Sequence, residues 1–420
     1  MTSSSTLKLP TAAVPFRQDA GVIGLVGMAH LISHFSQLLL APLFPWLKVE
    51  FNASYAELGF LMTLFFVVSC GVQAASGFLV DRIGPRPVLF AGLALLGLAA
   101  FGFSISTSYA MLAGFSMLAG VGNGVFHPVD YTLLNRKVSA PRLGHAYSFH
   151  GITGSLGWAL APVMLVPLTL AFSWRVALAS AGTLAFVVLA VLLLNRDRLS
   201  LPAIPAIAAG SGKAGDQAGS QPGSSLDFLR IPAVWMCFAF FFFYAMALSV
   251  VQAFAPEAAR QLHDVPLGLV AVCLTIYMVC SAGGMVVGGF LAANPARCER
   301  IVGVGMGTAA VVALCLGFGT FAAATVPVLF GVMGFFAGIS GPSRDLLVKR
   351  STPENATGRV YGVVYAGLDI GQAVSPLIFG ALMDQRKFST VLLGLAVVQA
   401  VLIASAFNVR RVRRTALVAA

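Results

Sequence analysis

His30 and His34 stand four residues apart with Gln37 three further on, so any helix containing them carries three hydrogen-bonding side chains on one face. Imidazoles there suit solute binding or a proton relay, with simple packing as the alternative. Paired histidines at this spacing can also hold a metal ion. A third ligand and outer acceptors are not evident along the chain, so no metal or other cofactor is expected. Asn123, His127 and Asp130 repeat the spacing of four and three beside Pro128, which removes a backbone hydrogen bond and should kink the helix. Asp130 reads either as a proton site near His127 or as a surface ion pair with Arg136 and Lys137. Arg344 offers a planar, permanently charged fork suited to carboxylate, phosphate or phosphonate. Its alternative is an internal pair with Asp345, Asp130 or another acid. Tyr361, Tyr365, Asp369 and Gln372 form a third polar stripe. Asp369, deep in an apolar run, is either a protonation site that responds to changing water access or a helix-to-helix hydrogen bond to Tyr or Ser. His150, Tyr244 and Gln252 are secondary candidates.

Ionisable groups at such positions are costly in lipid, about 2.5–3.5 kcal/mol each on insertion scales, which makes each a functional candidate. Lipid is the solvent that composition demands. Of 420 residues, 58% are hydrophobic and 10% charged, and the mean hydropathy is +0.89, too few polar groups to coat a water-facing globule. The apolar runs are continuous rather than alternating, which selects helices over a barrel. The six cysteines form no C-x-x-C pair and read as small hydrophobes. The net charge of +11 sits in short loops between apolar runs, the pattern of membrane orientation rather than nucleic-acid binding.

Twelve spans are predicted, near 21–46, 56–80, 88–106, 109–134, 143–168 and 174–194, then 231–255, 267–293, 301–321, 326–348, 358–382 and 389–408. The organisation expected is a cytoplasmic segment 1–20, a six-helix bundle 21–195, a flexible cytoplasmic linker 196–228 rich in Gly, Ser, Pro and Ala, a second bundle 229–408 and a basic tail 409–420. The first twenty residues are polar, so no removable signal peptide is expected and the first run stays as a span. With the N-terminus inside, only Lys48, Arg175, Arg260, Arg386 and Lys387 of the 26 basic residues fall outside and Arg344 lies within a span, a bias that puts both termini in the cytoplasm.

The halves repeat. Gly77-Phe78-Leu79 recurs as Gly289-Phe290-Leu291, Ala119-Gly120 as Ala337-Gly338, and Gly144, Gly157 and Pro162 as Gly358, Gly371 and Pro376, at offsets of 212, 218 and 214. Two like halves on a linker can rock about a central site. The fold class expected is therefore an all-α membrane protein with twelve transmembrane helices in two pseudo-symmetric six-helix bundles.

The stretch from Gly77 to Arg86 (GFLVDRIGPR) resembles the signature loop of the major facilitator superfamily. The resemblance implies that Asp81, Arg82 and Arg86 form a conformational gate across the half-to-half contact, a solvated turn being the plainer reading. It also implies that spans 1, 4, 7 and 10 line a central cavity, with 2, 5, 8 and 11 supporting it. A narrower resemblance, to the fosmidomycin-resistance branch of drug efflux carriers, rests on His30-Leu31-Ile32-Ser33-His34, Pro42-Leu43-Phe44-Pro45 and Gly122-Asn123-Gly124-Val125-Phe126-His127-Pro128. In that branch an acid commonly follows directly, whereas here it comes one later as Asp130.

On this basis His30, His34, Gln37, Asn123, His127, Arg344, Tyr365, Gln372 and Tyr244 are expected to bind substrate. Asp369, Asp130, Asp345 and His127 are expected to couple protons, and Trp174-Arg175 to anchor at the membrane interface. The function implied is proton-driven export of a small organic anion or zwitterion by a monomer in a bacterial-type inner membrane. An importer of a small carboxylate and a transport-inactive receptor or scaffold are the alternatives. No nucleophile elbow, P-loop or zincin helix is present, so an enzyme is not expected.

Overall fold

The computed structural model describes residues 15–201, 232–291, 297–351 and 357–418, with side chains throughout except at 81, 140, 144, 232–233, 344–351, 357–365, 406 and 408–418. Among the described residues twelve helical segments are long and apolar enough to cross a membrane. The first half contains α1 (Phe16–Gln37), α2 (Phe44–Glu50), α3 (Tyr55–Ile83), α4 (Pro85–Ile105), α5 (Tyr109–Asn123), α6 (Phe126–Lys137), α7 (Leu143–Ala171) and α8 (Trp174–Leu194). The second contains α9 (Pro232–Ala253), α10 (Ala255–His263), α11 (Leu267–Leu291), α12 (Cys298–Phe318), α13 (Val326–Ser351), α14 (Thr357–Asp384) and α15 (Phe388–Val418). Most of the linker, 202–231, lies outside the described residues. With twelve crossings both chain ends emerge on one face, called here the terminal face; the opposite one is the distal face.

Local chemistry sets the helix limits. Ser54 and Glu57 close a reciprocal capping box at the start of α3, and Ser108 and Ser173 accept the Met111 and Val176 amides that open α5 and α8. The α3–α4 turn needs φ of +83° at Gly84, a conformation glycine adopts without steric cost, and Pro85 then starts α4 where no amide is needed. The kink expected in the fourth span is a full interruption, with α5 ending at Asn123 and α6 starting at Phe126. Pro128 has no amide to give the Gly124 carbonyl four residues back, and the Ser76 hydroxyl, 3.1 Å from the Gln73 carbonyl of its own helix, shares its hydrogen with that carbonyl at 3.4 Å.

The repeat appears as equivalent close approaches. A Cβ on Gly157 of α7 would lie 2.3 Å from the Leu31 carbonyl of α1, and one on Gly371 of α14 would lie 2.3 Å from the Phe242 carbonyl of α9. Small residues at these crossings let backbones meet where burial against lipid gives little drive for association. The repeated Phe78 and Phe290 are both strongly exposed, as lipid-facing side chains must be.

The halves meet where α3 packs along α14 and α7 along α11. At the distal face Asp384 accepts the Tyr55 and Ala56 amides at 2.7 and 2.9 Å, so a carboxylate from the second half caps a helix N-terminus of the first. Lys48 lies 3.7 Å from the same carboxylate, and the Tyr55 hydroxyl donates to Glu257 of α10 at 3.2 Å. Glu257 also accepts from Arg260 at 2.7 Å and raises that guanidinium above its ordinary pKa. These contacts tie the halves together at the distal face.

Candidate functional site

The helix-1 face expected from spacing is real and points inward. His30 donates from Nδ1 to Oδ2 of Asp130 at 3.0 Å, and His150 reaches the same oxygen through Nε2 at 3.1 Å. The two rings stack with centroids 3.5 Å apart. Asp130 is 0% exposed, so the surface-pair reading with Arg136 and Lys137 is corrected: an aspartate enclosed by imidazoles serves the first half's interior. His150, ranked second in the sequence, belongs to the same cluster.

One layer toward the distal face, Asn123 ties three helices together. Its carbonyl oxygen accepts from Ser33 at 2.7 Å and from Gln37 at 3.4 Å, and its amide donates to Ser69 of α3 at 2.9 Å. Gln37 in turn accepts from Trp158 Nε1 at 2.9 Å, and the Trp158 ring lies 4.4 Å from that of His34. Trp158 also lines a crevice between the halves, opposite Tyr244, Tyr277 and Ser281. Tyr244 lines this crevice from the second half.

A second polar run crosses from one half to the other. His127 Nδ1 faces Gln73 Oε1 at 2.9 Å, and Gln73 Nε2 donates to Asp369 of α14 at 3.3 Å. Gln73 went unnoticed in the sequence, although a lone amide in the apolar second span was the available signal. Spacing could not reveal that α3 and α14 bring it to Asp369.

Other expectations resolve differently. Gln372 is buried and pairs with Gln252 of α9 at 3.5 Å rather than with the histidine group. Arg86 does not reach the second half: it donates to Ser200 at 2.5 Å and to the Arg196 carbonyl at 3.5 Å, both at the start of the linker, because the α3–α4 turn aims it at the end of α8. Arg82 is exposed. The side chains of Asp81, Arg344, Asp345, Tyr361 and Tyr365 lie outside the described residues. Arg175 clasps the distal loop, donating to the Ser104 and Ser106 carbonyls and pairing with Glu50 at 3.0 Å. Sequence reasoning missed Asp384, Glu257 and Tyr55 because their partners are more than 200 residues away.

Comparison with known proteins gives a consistent picture. Residues 26–332 and 242–419 match the family described as Major Facilitator Superfamily. The fosmidomycin resistance protein of Escherichia coli K12 is 28% identical over 185 residues, 42% of this chain and 42% of that protein. A multidrug resistance protein B homolog of Mycobacterium tuberculosis is 25% identical over 44% of this chain and 35% of its own length. The membrane sensor protein UhpC of Escherichia coli K12 is 29% identical over 41% of this chain and 40% of that protein. The chain thus spans less than half the length of these relatives. A bacterial homolog of the human lysosomal transporter Spinster, in an inward-facing and occupied conformation, superposes with a TM-score of 0.74 over 95% of this chain and 98% of that one. At 12% identity that likeness bears on the fold alone.

Proposed function

Because the chain belongs to the Major Facilitator Superfamily, a multi-pass membrane transporter family and not an enzyme family, we propose that it is a proton-coupled carrier exporting a small organic anion or zwitterion by alternating access. The observation that carries the proposal is the run His127–Gln73–Asp369, which joins the halves through one titratable carboxylate. A charged acceptor holds an amide about twice as strongly as a neutral one, so protonating Asp369 weakens this tie. Proton binding thereby biases the rocking of one half against the other. The Asp384 cap between the halves at the distal face, and the bias of basic residues that the sequence puts in the cytoplasm, support a carrier open to the cytoplasmic side, proposed to work as a monomer in a bacterial-type inner membrane.

The polar group of His34, Gln37, Asn123 and His127 lies behind Trp158, which lines the crevice opposite Tyr244, and this supports a polar solute, while Arg344 in the sequence supports a negative charge on it. Similarity to a fosmidomycin resistance protein and a multidrug resistance homolog favours export over import of a small carboxylate. The comparable similarity to a membrane sensor favours a second reading, a receptor without transport.

A thermal-shift screen of organic anions and antibiotics on purified protein, followed by flux of each hit in proteoliposomes, separates the two. The carrier reading expects at least one stabilising anion whose flux follows an imposed pH gradient. Stabilising ligands with no flux under any gradient would establish the sensor instead.

A further inference from the structure

The first half holds an arrangement that transport by hydrogen bonding alone does not require. One nitrogen each from His30, His34 and His127 lies within 4.8 Å of the other two. Two of the three tautomers follow from their neighbours. Asp130 is an acceptor, so His30 carries its hydrogen on Nδ1 and presents a bare lone pair at Nε2. Gln73 turns its NH2 to Asp369 and its oxygen to His127, so His127 carries its hydrogen on Nδ1 and likewise presents Nε2. Both ring nitrogens of His34 are buried with no side-chain partner, the backbone of Gly154 being the polar group beside them. Gly154 of α7 leaves room beside these rings: a Cβ there would stand 2.8 Å from His34 Nδ1 and 3.1 Å from His30 Nε2.

Three imidazoles brought this close, two of them with an acceptor on Nδ1 that leaves Nε2 free to ligate, have the chemistry of a three-histidine metal centre. We propose that His30, His34 and His127 bind one divalent transition-metal ion of the zinc class, leaving a fourth position open. The Asp130–His30 and Gln73–His127 pairs are its outer support, since an acceptor on the far nitrogen fixes the ring and raises its basicity. Charge balances as well: Asp130 through His30 and Asp369 through Gln73 supply two negative charges against the ion's two positive ones. Tetrahedral zinc wants ligand nitrogens roughly 3.4 Å apart, given bonds of about 2.0–2.1 Å, so modest ring rotations close the set. The sequence showed only the α1 pair, because the third ligand is 93 residues beyond His34 and reaches it through the interrupted fourth span.

Full-length protein without a histidine tag is titrated with Co2+, and visible d–d absorption is read along with melting temperature. The expected result is one Co2+ per chain at micromolar concentration, displaced by Zn2+, with zinc raising the melting temperature. His34→Ala and His127→Gln abolish binding, Asp130→Asn weakens it roughly 10–100-fold, and His145→Ala on the exposed surface leaves it unchanged. Gly154→Ala fills the space without removing a ligand and also weakens binding, which keeps the test open if a histidine variant misfolds. No stoichiometric uptake overturns the proposal. So does uptake that survives in a folded His34→Ala, His127→Gln double variant, which would mean an adventitious ion only. A zinc-reporting dye inside proteoliposomes then tells a resident ion, which gives no signal, from a transported one.

Discussion

Asn123 satisfies three side chains from two neighbouring helices. Replacing it by Ala strands Ser33, Gln37 and Ser69 in a buried setting. Each lost buried partner costs on the order of 1 kcal/mol, averaging about 0.6 between membrane helices, so Asn123→Ala is expected to destabilise the first half by about 1–3 kcal/mol. A clearly lower melting temperature in detergent checks this, and an unchanged one contradicts the hydrogen bonding described. At this scale the sequence was legible wherever helical spacing does the work. His30, His34 and Gln37 do share a face, because i, i+4 and i+7 positions must. Their partners were not legible: Asp130 is 100 residues from His30 and Gln73 is 296 from Asp369, distances at which periodicity is silent.

At the scale of elements, helices were readable from apolar runs, since lipid forces each crossing to satisfy its own backbone. Breaks within a span were less so. Pro128 signalled a kink, but whether the chain bends or stops depends on what the freed Gly124 carbonyl meets, and the donor within reach, Ser76, belongs to another helix. The short helices α2 and α10 also escaped notice, being continuous with the spans they follow. Yet they build the distal seal: Lys48 of α2 reaches Asp384, and Glu257 of α10 takes the Tyr55 hydroxyl. The seal depends on close approach, since a Cβ on Gly380 would stand 2.8 Å from the Ala56 Cα and one on Gly59 would stand 2.9 Å from the Pro376 carbonyl oxygen. Asp384→Ala removes the cap on the first two amides of α3 and the partner of Lys48 at once. In a cysteine-free background with Ala253→Cys, which lines the distal crevice, a membrane-impermeant maleimide added from the distal side should then label severalfold faster. Equal labelling rates with and without Asp384 would show that this carboxylate does not hold the face shut.

For the whole molecule, the duplication was visible in the sequence partly because Gly120 with Gly338 and Gly157 with Gly371 stand at helix crossings, where a side chain would meet a neighbouring backbone. What the repeat could not reveal is where the halves differ. The buried histidine–aspartate cluster lies in the first half, while the carboxylate that ties the halves together comes from the second. Polar groups of both halves therefore meet at the run His127–Gln73–Asp369, where a change at one carboxylate can bias the rocking of one half against the other. The most direct measurement compares the original protein with Asp369→Asn in proteoliposomes, using a solute from the stabilisation screen. The account expects Asp369→Asn to keep solute exchange at zero gradient while losing uphill accumulation driven by an imposed pH gradient. Uphill accumulation by that variant at the original rate would contradict it.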